Sequence, residues 1–139
     1  MTTSLSFSDV SVGDELPPLD VPLTASIIVG GALASRDYTP VHHDRAAANA
    51  AGMGDVFMNI LTTNGYVGRY VTDWAGTDAQ IKGLAIKLGT PNLPGDTMKM
   101  RGKVTEAGAD GTVVVEVVGK NSWGNHVEGT VTVALPVGG

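Results

Sequence analysis

The chain has 139 residues, no cysteine, 9 basic against 14 acidic residues and a net charge of -5. That length suits one compact domain, 1-139, able to bury a core without staples. Disulfides, thiolate metal sites and a cysteine nucleophile are excluded, and the acidic balance argues against nucleic acid, because phosphate binding needs concentrated positive charge.

The segment Met1 to Asp14 has no basic start and no apolar run, so no signal peptide is expected. No stretch approaches the length of a membrane span. The expectation is a soluble cytoplasmic protein with no membrane partner.

A strand is expected near Leu16 to Leu23. A short apolar stretch follows, without a clear period, and then the loop from Ser35 to Asp44. Asp44 is placed to cap a short Ala-rich helix running to about Ala51 and ended by Gly52. From Phe57 to Trp74, apolar residues fall at helical spacing, spread widely enough to predict burial on most sides. Gly65 and Gly68 weaken this helix by roughly 1 kcal/mol each against Ala, so packing must hold it, with small residues letting a sheet approach.

The last third alternates with period two. Leu84, Ile86 and Leu88 alternate with Ala85 and Lys87, and the turn Pro94-Gly95-Asp96 follows. Met98, Met100, Gly102 and Val104 alternate with Lys99, Arg101 and Lys103, which predicts a strand with one wet face. Val113 to Val118 is a β-branched run, and Val127, Val131 and Val133 alternate with Glu128, Thr130 and Thr132. Asp110-Gly111 and Gly124-Asn125 are expected at the two hairpin turns. The sum is an α+β domain: a long central helix wrapped by a curved antiparallel sheet of about five strands, the hot-dog shape. Such a sheet leaves an edge that pairing must cover.

The residues suited to chemistry lie in Asp37-Tyr38-Thr39-Pro40-Val41-His42-His43-Asp44. Two histidines and two carboxylates within eight residues, around a proline that stiffens the loop, suit the positioning of side chains better than core packing. Adjacent residues on a tight loop rarely converge on one ion, so no metal site is expected from His42, His43 and Asp44. Arg69 and Asp73 are spaced for an ion pair, and His126, on a strand beside a turn, reads as structural.

This stretch, with Ala48 and Gly52 after it and Leu93-Pro94-Gly95-Asp96-Thr97 downstream, resembles the hydratase signature of the MaoC-like (R)-specific enoyl-CoA hydratases. Val41-His42-His43-Asp44-Arg45, Asn59-Ile60-Leu61-Thr62 and Arg69 to Gly76 resemble one branch in particular, the small subunit of a heteromeric hydratase acting on steroid side-chain CoA esters. The resemblance implies the hot-dog fold and hydration of a trans-2-enoyl-CoA to a 3-hydroxyacyl-CoA, with Asp37 and His42 handling the water. It implies an oxyanion donor in the backbone near Asn59, with His43 and Thr39 as further oxyanion or substrate-binding candidates. Its expected partners are the acyl-CoA substrate and a second, different hot-dog subunit, in a heterotetramer of two plus two. No cofactor is expected beyond the CoA of the substrate. The chain departs from the family pattern at Arg36, where Gly is usual, at Thr39, where Asn is usual, and at Asn59, where homodimeric relatives commonly have Gly.

Three alternatives stay open at this point. One is a homodimeric hydratase for ordinary acyl chains, and another is a structural subunit completing a partner. The third, a hot-dog thioesterase, would place a carboxylate on the long helix, and Phe57 to Thr72 contains no Asp or Glu.

Overall fold

The computed structural model describes residues 4–138. The first three residues of the Met1–Asp14 stretch and Gly139, the last of the 1-139 domain, lie outside the described residues. The strands are β1 (Leu19–Pro22), β2 (Gln80–Leu88), β3 (Thr97–Ala107), β4 (Thr112–Asn121) and β5 (Gly124–Ala134); the helices are α1 (Ala25–Ala34), α2 (Arg45–Ala50) and α3 (Ile60–Ala75). The strands form one sheet in the order β1-β3-β4-β5-β2, antiparallel throughout.

Alternation decides which face is dry. Met98, Met100 and Val104 on β3, Val113, Val115 and Val117 on β4, and Val127, Val131 and Val133 on β5 are buried, and their neighbours are more exposed except His126, which is buried beside Val127. Val67, Tyr70, Val71 and Ala75 of α3 join them in one core. Full burial of each such side chain stabilises by roughly 1.5–3 kcal/mol. Register shifts at Ile81/Gly83, Val104/Glu106 and Gly119/Lys120 interrupt three pairings, and irregularities of this kind bend strands and sharpen their twist. The result is the hot-dog arrangement, a curved sheet on a central helix.

Four local expectations need correction. The long helix begins at Ile60, because Asn59 takes the N-cap position and accepts from the Thr62 N–H. Phe57 and Met58 lie before it, bonded to the Val41 and Asn92 carbonyls. Burial of α3 is confined to one broad side: Ile60 and Leu61 are each 48% exposed. Gly65 is not a point of close approach, since a Cβ there would meet open space, whereas one on Gly31 would collide with the Thr62 side chain. The last turn is Ser122-Trp123, two residues before Gly124-Asn125, with Asn121 and Gly124 as its closing pair. The Asn121 side chain fixes it by accepting from the Trp123 N–H.

Candidate active site

The site hangs on the segment from the end of α1 to the start of α2, against the N-terminus of α3. Helix α1 ends at Ser35, whose hydroxyl donates back to the Gly31 carbonyl at 2.7 Å. Arg36 then takes φ 58, the only positive φ at a non-glycine among the described residues. This reverses the chain and presents Asp37. Pro40 opens a 3-10 turn, Pro40–His42, that carries His42 into the fold. Asp44 caps α2, accepting from the Ala46 and Ala47 N–H groups, which leaves its carboxylate committed to structure.

The Asp37 carboxylate is held on both oxygens. Oδ1 accepts from the Thr39 hydroxyl at 2.7 Å and the Thr39 N–H at 3.2 Å. Oδ2 accepts from Asn59 Nδ2 at 3.1 Å and lies 3.4 Å from His42 Nε2. The Thr39 hydroxyl, then the Asn59 amide, holds the Asp37 carboxyl below the usual carboxylate range.

His42 is buried, with its ring edge-on to Phe57 at 4.8 Å between centroids. Its Nδ1 lies 2.6 Å from the Phe57 carbonyl oxygen. A carbonyl only accepts, so Nδ1 carries a hydrogen, and the tautomer with Nδ1–H leaves Nε2 as a lone pair facing Asp37. In that tautomer two acceptors face each other across a short gap, a geometry suited to a molecule that donates two hydrogens.

Asp37, His42, Thr39 and Asn59 are therefore brought together. His43 is exposed and its Nε2 is bonded to the Tyr38 carbonyl at 3.2 Å rather than to the pair. His126 is buried on β5. Its Nδ1–H donates to the Thr90 carbonyl at 2.7 Å, and its Nε2 accepts from the Thr63 hydroxyl at 2.8 Å. Burial holds its pKa below the ordinary histidine value, so it is the structural residue expected. Arg69 and Asp73 make the expected exposed ion pair, at 3.4 Å. Among the described residues, no group of three His, Asp or Glu side chains is placed to hold a metal ion, and no helix is long and apolar enough to cross a membrane.

Sequence reasoning did not assign Ser35, the Phe57 carbonyl or the Asn59 side chain. Only Asn59 carried a signal, as an N-cap residue type directly before a helical run. Beside the site runs an open groove of about 450 Å³ between α1 and α3, lined by Gly31, Ser35, Leu61, Thr62, Gly65 and Tyr66 among others. A larger concavity, about 1050 Å³ on the outer face of the sheet, contains neither Asp37 nor His42.

A hot-dog domain carrying an Asp/His pair beside the N-terminus of its central helix defines a class of protein, and comparison with known proteins places the chain within it. Residues 10–125 match the MaoC-like domain, and the chain belongs to that family. It is 48% identical, over 89% of its length and 95% of the relative's, to the 3-oxo-4,17-pregnadiene-20-carboxyl-CoA hydratase beta subunit of Mycobacterium tuberculosis. A chain in the crystal structure of the ChsH1-ChsH2 complex from the same organism superposes with a TM-score of 0.89 at 47% identity, covering 91% of this chain and 98% of that one. The R-hydratase PhaJ1 of Pseudomonas aeruginosa shares the fold, with a TM-score of 0.88 at 18% identity over 97% of this chain and 88% of that one.

Proposed function

We propose that the chain is a subunit of a cytoplasmic enoyl-CoA hydratase that adds water to a trans-2-enoyl-CoA, the acyl group being a shortened steroid side chain. The observation that carries the chemistry is the facing pair of acceptors, Asp37 Oδ2 and His42 Nε2, 3.4 Å apart. A water donating one hydrogen to each turns its lone pairs away from the pair. Its oxygen bonds to C3, the C2=C3 electron pair moves towards the thioester, and the proton taken by the pair returns to C2. The product has gained one water and the pair ends as it began. The addition is redox-neutral, so this reading needs no cofactor beyond the CoA of the substrate. Thr39 fixes the carboxylate, and His43 flanks the entrance.

Negative charge grows on the thioester oxygen during attack and needs preorganised donors. The backbone near Asn59 supplies them in this reading. In support, no backbone carbonyl among the described residues accepts from the N–H groups of Asn59, Ile60 or Leu61, and the N-terminal end of a helix carries partial positive charge.

The steroid acyl group is supported by the name of the Mycobacterium tuberculosis beta subunit. A second, different hot-dog subunit completes the site, a reading supported by the same subunit name and the ChsH1-ChsH2 complex. We further expect an assembly of two plus two. The open flank of β2, the last strand in the sheet order, and the half-exposed Ile60, Leu61 and Ile81 also fit a missing partner, since unpaired edges and apolar surface call for cover.

Light scattering on the chain alone and co-expressed with its partner, with hydration assays on short, long and steroid enoyl-CoAs, tests the reading. The expected result is an inactive or poorly soluble isolated chain and an active complex of two plus two that favours the steroid ester. A stable, fully active homodimer contradicts the partner, and a preference for straight chains contradicts the steroid.

A further inference from the structure

Asn59 is 2% exposed and has every hydrogen-bonding position of its amide occupied. Its Oδ1 accepts from the Thr62 N–H at 3.1 Å and the Thr62 hydroxyl at 2.5 Å. Its Nδ2 donates to Ser35 Oγ at 3.0 Å and to Asp37 Oδ2 at 3.1 Å. The orientation is unambiguous, because the Thr62 N–H can only donate and must face the oxygen. One side chain therefore bonds three elements: the first turn of α3, the end of α1 and the loop that carries Asp37.

We infer that the Asn59 side chain is a positioning residue for hydration, tying the Asp37 carboxylate to the helix end that receives the enolate. The inference rests on Asp37 and His42 handling the water. Without the Nδ2 bond, Oδ2 loses its one donor from α3. The carboxylate is then held by Thr39 alone and can rotate its free oxygen out of line with His42 Nε2. Glycine keeps the backbone N–H but breaks all four bonds, so at this position the side chain and the backbone have separate duties. A small error in placing a reacting group costs large factors in rate, about 10²-fold for 1 Å.

The groups around Asp37 define how the clamp reads out. The titratable group facing it is His42. Arg36 beside it is exposed and makes no ion pair with it among the described residues, and the first turn of α3 carries no acidic residue. A carboxylate placed at 59 would thus be the one new charge in the site.

Asn59→Asp and Asn59→Ser both keep an oxygen that caps α3 and both lose the donor to Asp37. The test compares them with the parent and with Asp37→Asn in the partner complex, as pH profiles of kcat and kcat/KM alongside thermal melts. Both variants should lose kcat, by roughly 10–100-fold, with KM changed less, as for an interaction that acts in the transition state. In Asn59→Asp two carboxylates share the site, and the acid limb of the profile should move up by about one pH unit or more. In Asn59→Ser the limb should move up by less. Variants with lowered melting temperature but parental pH limbs and kcat would overturn the inference and leave Asn59 a cap. Full activity in Asp37→Asn would instead overturn the reading of the dyad on which it rests.

Discussion

At the scale of single residues, the backbone at Arg36 accounts for the Gly of the family pattern, and nothing in the structure explains the Arg that replaces it. The resemblance places Gly there, and the structure requires φ 58 at that position. A residue with a Cβ is disfavoured in this conformation by roughly 1–2 kcal/mol, while Gly costs about 0.5–1 kcal/mol more entropy on folding. Arg36→Gly should therefore leave stability unchanged or raise it, by about 0–1.5 kcal/mol in urea denaturation, because the left-handed term equals or exceeds the entropy term. A loss larger than about 1 kcal/mol would mean that the Arg36 side chain holds a contact outweighing both terms.

At the scale of elements, His126 bolts β5 to α3 through Thr63 and to the chain after β2 through Thr90. Burial holds its pKa down, whereas the unfolded chain protonates it near the ordinary value of about 6.5. Below that pH the unfolded state takes up a proton that the folded state resists. The stability contributed by neutral His126 is therefore complete above about pH 6.5 and falls as pH drops below it. Asp37, Asp96 and Asp110 have lowered pKa values, so their contributions are lost only in a more acidic window, below about 3.9. Denaturation midpoints between pH 7 and 5 should fall in the parent and fall less steeply in His126→Gln. Equal slopes would show that His126 does not carry the effect.

The elements also show what was legible in the sequence. Strands β3 and β5 were plain from the alternation that one dry face imposes, and β4 from its β-branched run. The end of α2 and the ion pair of α3 were plain from local chemistry. Helix α1 was not, because Ile27, Ile28, Val29, Gly30 and Gly31 are poor helix formers, and the helix is set by its Thr24 cap and by packing against α3. The start of α3 was misplaced by three residues, because Phe57 and Met58 extend the apolar pattern while serving as the bonded edge of the site. Asp37 and His42 could be named from spacing and resemblance. The Asn59 amide bond could not, since it joins residues 22 apart through a turn that only the folded backbone defines.

At the scale of the whole molecule, the fold brings a loop and a helix end together and leaves their surroundings open. The groove between α1 and α3 meets the site at Ser35, and the half-exposed apolar residues Leu33, Ile60 and Leu61 lie on the elements that frame it. The far flank of β2 has no strand beside it among the described residues. Under the proposed function the water-handling pair lies on this chain and a partner supplies much of the acyl pocket, so the pair is tested in the complete assembly. The most direct measurement is single-turnover hydration of an enoyl-CoA by the partner complex carrying Asp37→Asn or His42→Ala, with circular dichroism to confirm the fold. Each should slow hydration by about 10²–10⁴-fold, the usual contribution of a general acid–base group, while His43→Ala costs far less. Near-normal turnover in both variants of the pair would contradict the account.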